Sequence, residues 1–206
     1  MRLLCENSLN LRRFWCEMNI KSLLNLTIDL IRKPNAATTA LAAESKGFGA
    51  LVKEVALPYF LAIIIAEYIG HVMFGTYMFR ESLSFVINEL VPQLAMLLAS
   101  GVIFTFLLNE VLHYYSLQPQ LKRSFYIITY SFIPIFVASI LSGLVPKLAP
   151  LFNLCGLYSY YLLWCMLKAE NLGIDNQKHR NVALTAIAIM VLTHWALVGC
   201  RTLIFN

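Results

Sequence analysis

Five apolar runs, near residues 55–75, 86–112, 125–145, 148–167 and 182–204, dominate this chain. Each holds about 20 residues or more, enough for an α-helix to cross a hydrocarbon core of about 30 Å. Inside a bilayer the backbone must satisfy its own hydrogen bonds, which restricts spanning segments to helices or closed barrels. Long apolar runs without period-two alternation select the helix. Hydrophobic residues make up 59% of the 206 residues, against about 45–50% in water-soluble globular proteins. The excess lies in contiguous runs, so one large soluble core does not account for it.

The expected fold is therefore all-α: a polytopic integral membrane protein with five transmembrane helices, preceded by an amphipathic interfacial helix. The connections are too short for a second folded unit. Residues 1–50 are expected to form a cytoplasmic N-terminal segment and residues 51–206 one five-helix membrane domain. The start of the chain does not resemble a signal peptide, because Glu6, Asn7, Asn10, Arg12 and Arg13 follow at once and no long apolar stretch precedes a small-residue cleavage site. Met18 opens a segment that is complete without residues 1–17, so an upstream start is one expectation for those residues. Cys5, Cys16, Cys155, Cys165 and Cys200 form no C-x-x-C pair and have no metal-site spacing to histidine. They read as small apolar fillers.

Charge sets the orientation. Arg2, Arg12, Arg13, Lys21, Arg32, Lys33, Lys46 and Lys53 precede the first run, Lys122 and Arg123 follow the second, and Lys168, Lys178 and Arg180 follow the fourth. Only Arg80, Lys147 and Arg201 fall on the other side. This bias predicts a cytoplasmic N-terminus, and five spans then place the C-terminus outside a cell (inner) membrane. The net charge of +5 is thus assigned to orientation and anionic headgroups, with no nucleic-acid partner. Pro146, Lys147 and Pro150 mark a tight turn. Gly173, Asp175 and Asn176 read as a helix stop and turn.

Ahead of the first run, Ile20, Leu24, Thr27, Ile28 and Ile31 share one helical face, widened by Leu23, and Lys21, Asn25, Asp29 and Arg32 share the other. An amphipathic helix at the inner membrane surface is expected. It serves either as an interfacial anchor or as a recruiting site for a cytoplasmic partner. Pro34 should end it, and a second short helix over 36–44 is expected with Asn35 as its cap.

Polar residues within the runs are the candidate site. Glu67 lies about twelve residues into the first helix, roughly 18 Å deep at 1.5 Å per residue. An ionisable group at that depth is costly and usually faces a bundle interior. His71 is one turn on, on the same face. His194 reaches a similar depth in the fifth helix. Glu67, His71 and His194 are candidates either for a proton or ion relay or for a hydrogen bond that locks two helices. Asn109 and Glu110 with Lys122 and Arg123, and likewise Arg32 and Lys33, read as interfacial charges. His113, Tyr114, Tyr115, Tyr158, Tyr160 and Trp164 read as interfacial belts. Pro58 and Pro92 sit near helix entries, where a missing donor costs little. Pro134, about nine residues into the third run, should kink its helix unless Tyr130 or Ser131 compensates. Gly70 and Gly75 permit close helix packing without G-x-x-x-G spacing. No zinc, kinase, hydrolase or phosphate-loop signature is present. No catalytic residue, metal or cofactor is expected, and the chain is not expected to be an enzyme.

Several short motifs, in order, resemble the Yip1-domain family of small multi-spanning membrane proteins. They are Ile31-Arg32-Lys33-Pro34 with Thr38 and Glu44, then Leu57-Pro58-Tyr59, then Tyr130-Ser131-Phe132-Ile133-Pro134, then Leu157-Tyr158-Ser159-Tyr160-Tyr161-Leu162. The likeness covers about 26–205. For eukaryotic members it implies an early secretory role and contact with small GTPases of the Rab type; for bacterial relatives it implies a cell-membrane protein without established activity. This chain lacks the long polar N-terminal region and the Asp-Leu-Tyr-Gly-Pro segment, so GTPase binding does not carry over and the short bacterial form is favoured. The family has no catalytic residues to transfer. The function expected is a non-enzymatic membrane scaffold or organiser. Its partners would be the lipid bilayer, and itself as a homo-oligomer or other membrane proteins. The alternative is a small transporter or ion-conducting protein built on Glu67, His71 and His194. Against that stand the lack of an inverted repeat and of matched Gly-interrupted helices.

Overall fold

A computed structural model describes residues 20–44, 46–74, 90–170 and 175–205, without the side chains of residues 20, 197, 198 and 200–205. Residues 1–17 and Gly75, singled out above, lie outside it, as does Gly173. The described residues are all-α. The helices are α1 (Ile20–Arg32), α2 (Pro34–Ala43), α3 (Phe48–Phe74), α4 (Val91–Tyr114), α5 (Leu121–Ser131), α6 (Ile133–Leu144), α7 (Ala149–Cys155), α8 (Tyr158–Ala169) and α9 (Asn176–Phe205).

The described residues do not form the five spans expected. Among the described residues two helices, α3 and α4, are long and apolar enough to cross a membrane. A third span results only if α5 and α6, bent by 40° at their junction, count as one. The reasons are local. In the third apolar run Phe132 breaks the helix two residues before Pro134, and Pro134 takes an early position in α6, where its missing N–H has no intrahelical acceptor to lose. In the fourth run Pro146 and Pro150 force a 3-10 turn, Pro146–Leu148, and a restart. Gly156 and Leu157 then separate α7 from α8, which leaves helices of 7 and 12 residues. The last run is one 30-residue helix, but it opens with Asn176, Gln177, Lys178, His179, Arg180 and Asn181. It is not one of the helices that pass as spans among the described residues.

The first span starts earlier than its apolar run, at Phe48. It passes through a π-helical turn, Val52–Ala56, in which the N–H of Leu57 donates to the Val52 carbonyl, five residues back. Pro58, with no N–H of its own, follows that shift directly. α3 and α4 are apolar on every side, and Ile65, Ile69, Val72 and Met73 on α3 and Leu98, Val102 and Phe106 on α4 stay exposed. An all-round apolar helix with its outer face unpacked is a helix solvated by lipid.

α1 also departs from expectation. It turns Thr27 and Leu30 inward, with Leu23 and Leu26 partly covered, and leaves Leu24, Ile28 and Ile31 exposed. Its apolar arc is therefore wider than the stripe that the spacing selected: Leu23 and Thr27 of that stripe pack together with Leu26 and Leu30, and the other half stays exposed. α2 begins at Pro34, with Lys33 rather than Asn35 at the cap position.

Packing joins α3 to α6, α4 to α5 and α9, and α8 to α2 and α5, while α7 folds back along α6. Ile127, Ile128, Tyr130, Ile133, Leu162, Leu163 and Met166 are fully buried at the centre. Tyr115 and Thr185 join α4 to α9 through their hydroxyls at 3.0 Å. α4 closes through Ser116, whose φ of 57° is left-handed. That conformation lets the Leu117 N–H reach the Leu112 carbonyl at 2.9 Å, the 6→1 bond of a Schellman ending.

Candidate functional site

The α3–α6 seam depends on two glycines. A Cβ on Gly70 would stand 1.8 Å from the Gly143 carbonyl oxygen, and one on Gly143 would stand 2.9 Å from the Glu67 nitrogen. Small residues of this kind let helix backbones approach closely where no water drives association. Glu67 is half-buried on this seam, and its Oε1 accepts a hydrogen bond from Gln93 Nε2 of α4 at 2.8 Å. One carboxylate thus ties together the neighbourhood of three helices. His71 follows one turn on, also half-buried. His194 is exposed on α9, a helix that packs on α4 and α8, and makes no hydrogen bond or ion pair with a described residue. The structure does not bring His194 to Glu67. The partner it does supply, Gln93, was overlooked in the sequence. The signal was present: a lone amide beside Pro92 at the head of an apolar run.

A second polar region lies at one end of the bundle. Arg123 of α5 donates from Nε to Glu170 Oε2 at 2.7 Å and from Nη2 to the Glu170 carbonyl at 2.6 Å. Both side chains are mostly covered, at 24% and 14% exposure. Tyr126, one turn on, donates to the Leu41 carbonyl of α2. Tyr158 of α8 donates to the carbonyls of Leu30 and Ile31 at 3.3 Å, and Thr27 and Tyr59 share a hydroxyl hydrogen bond. These contacts seat α1 and α2 across the bundle end. Lys46 lies 2.9 Å from Glu54 and 3.6 Å from Glu44. Burial works against its charge, but the Glu54 hydrogen bond and the two carboxylates outweigh burial and raise its pKa. Arg32, Lys33 and Lys122 are exposed.

Between α8 and α9 at this end is a cavity of about 440 Å³, lined by Trp164, Lys168, Asn176, Gln177, His179 and Arg180. The Trp164 indole meets the His179 ring edge-on, with centroids 5.3 Å apart. Burial lowers the His179 pKa, and the Lys168 charge lowers it further, so the imidazole is neutral near pH 7. Its Nε2 is shielded from solvent and has no hydrogen-bond partner among the described residues. Asp175, just before α9, accepts the Asn176 N–H at 2.8 Å. Sequence reasoning assigned Trp164 to an aromatic belt and Lys168 and Arg180 to a topology count. It did not join them, because the helix ends that bring them together are far apart in any periodic pattern.

Among the described residues no group of three or more His, Cys, Asp or Glu side chains is placed to hold a metal ion. Cys165 is buried and Cys155 exposed, both as free thiols. Comparison with known proteins gives one family match: the model of the Yip1 domain covers residues 28–198. No curated protein and no solved structure matches the chain.

Proposed function

Because the chain belongs to the Yip1-domain family, whose model covers well over half of it, we propose that it works as a membrane scaffold or organiser through protein contacts. Membership in this family makes it a non-catalytic, multi-pass membrane protein. The observation that carries the finer reading is the arrangement of α1. One half of its apolar arc docks on the bundle, and Leu24, Ile28 and Ile31 are left as an outward stripe. An interfacial anchor would set that outward stripe in lipid, and the scaffold reading sets it against protein. Self-association or contact with another membrane protein gives the stripe that use.

The orientation is proposed from the grouping of charge. Lys46, Arg123, Lys168, Lys178 and Arg180 gather at the end where α2, α5 and α8 meet, which favours that end as cytoplasmic. Residues 1–50 then belong to the cytoplasmic side of a cell membrane, with residues 51–206 as the membrane domain. For Glu67, the hydrogen bond from Gln93 supports a helix lock rather than a relay.

The test is site-specific photo-crosslinking in native membranes, with the photoreactive residue at Ile28 and, as control, at Asp29. Protein adducts, to a second copy or to a membrane protein, are expected from Ile28 and not from Asp29. A pH-dependent ion flux in reconstituted vesicles, abolished by Glu67→Gln with the protein still folded, would refute the scaffold.

A further inference from the structure

We propose that the cavity between α8 and α9 is a binding site for the phosphate of an anionic phospholipid headgroup, held by Lys168 and Arg180 with Trp164 at its apolar wall. The cavity lining contains two full cations and no carboxylate: Trp164, Lys168, Asn176, Gln177, His179 and Arg180. The acids closest in sequence lie outside the lining: Glu170 is paired with Arg123 at 2.7 Å, and Asp175 is exposed and accepts the Asn176 N–H. Lys168 and Arg180 are exposed cations of different helices that line one concave space, and no carboxylate of that lining offsets them. Arg offers a planar fork for phosphate oxygens and Lys a mobile point charge. Asn176 and Gln177 add amide donors.

Position selects lipid over a soluble anion. The cavity lies where the polar opening of α9 gives way to its apolar run. The exposed apolar side chains Tyr161 on α8 and Leu184 on α9 lie about one turn further along each helix. A phosphate seated between Lys168 and Arg180 would have its acyl chains led along these side chains. Basic pockets between helices at the inner membrane face are suited to this. About 440 Å³ is generous for a bare phosphate and suits a glycerophosphate. The Trp164 indole fits the headgroup boundary, where one edge is apolar and the other wet. The site is independent of the scaffold proposal and survives its failure.

The experiment uses the full chain in nanodiscs of phosphatidylcholine, with and without phosphatidylglycerol. Thermal midpoints are read, and anionic lipids retained on release are counted by native mass spectrometry. Wild type should gain several degrees from phosphatidylglycerol and retain at least one such lipid. Lys168→Gln with Arg180→Gln should lose both effects, with affinity down tenfold or more, while its midpoint in pure phosphatidylcholine stays that of wild type. The control Lys122→Gln with Lys178→Gln removes equal charge outside the cavity and should stay within twofold of wild type. If the first double variant does not fold, Lys168→Arg with Arg180→Lys keeps the charge, and retained binding there supports the site. Equal losses in control and test pairs would overturn the proposal in favour of diffuse surface charge. The same midpoint gain from millimolar inorganic phosphate in pure phosphatidylcholine would overturn the lipid as its source.

Discussion

The α3–α6 seam and the polar end of the bundle are held together by opposite means. The seam is steric: Gly70 and Gly143 bring two backbones into contact, and one hydrogen bond from Gln93 to Glu67 supplements it. The polar end is directional, with tyrosine hydroxyls on helix carbonyls, a covered Arg123–Glu170 pair and an ion triplet around Lys46. In lipid, apolar side chains gain nothing by leaving one hydrocarbon for another, so fit decides. At a wet boundary, polar groups must be paired or hydrated, so bonding geometry decides. Substitutions at the seam should therefore act through shape, and substitutions at the end through charge and donors.

The largest effect tests the seam. Gly70→Ala places a methyl 1.8 Å from a backbone oxygen, which no rotamer change relieves. Overpacking typically costs about 1–3 kcal/mol and sometimes more, and the upper end is expected here. The check is a drop in thermal midpoint in detergent and in nanodiscs. A midpoint unchanged from wild type would mean that the helices are not in contact as described.

Next comes the polar end. Arg123→Ala should cost about 2 kcal/mol by stranding a mostly covered carboxylate. Arg123→Lys should recover only part of that, because a single ammonium cannot serve both the Glu170 carboxylate and its main-chain carbonyl. A double-mutant cycle with Glu170→Gln should show strong coupling, while Arg123 and Gly70 should add independently. Coupling between that distant pair would merge the two regions and undo the contrast between them.

What the sequence showed followed the same division. The apolar runs marked where α3 and α4 lie, because helix and lipid share one length scale. They overcounted spans because hydropathy does not register breaks: Phe132–Ile133, the Pro146 turn and the Gly156–Leu157 joint all lie inside apolar text. Gly70 was legible as a close-packing residue, but Gly143, its counterpart, was not, since pairing between helices has no period. Glu67 stood out by cost alone. Gln93 did not, because an amide near a helix entry is unremarkable until the fold puts a carboxylate opposite. Thr27 and Leu30 show the limit of amphipathic patterns: the apolar arc of α1 is wide, and spacing could not say which half of it packs.

A smaller effect refines the role of Glu67. Glu67→Gln keeps a carbonyl oxygen where Gln93 donates, so that bond survives and this variant should be the milder of two. Glu67→Leu leaves the Gln93 amide unpaired and should cost about 1 kcal/mol. Thermal midpoints of the two variants check the order. If Glu67→Gln were the more damaging, the carboxylate charge itself would matter, which would reopen a relay.

The smallest effect belongs to His179 and links pH to the polar end. Its folded pKa is lowered from 6.5, mainly by burial and further by Lys168, so the folded state disfavours the imidazolium. The resulting stability is present above the unfolded pKa and is lost as pH falls from about 6.5 through the folded value. In phosphatidylcholine nanodiscs the thermal midpoint should fall gently from pH 7 to pH 5. His179→Gln should flatten that fall. The charged groups near His179 are Lys168 and Arg180 in the cavity lining and Asp175 at the helix start. A midpoint that rises on acidification would reverse the sign expected of a buried neutral histidine and place His179 beside an unrecognised acid.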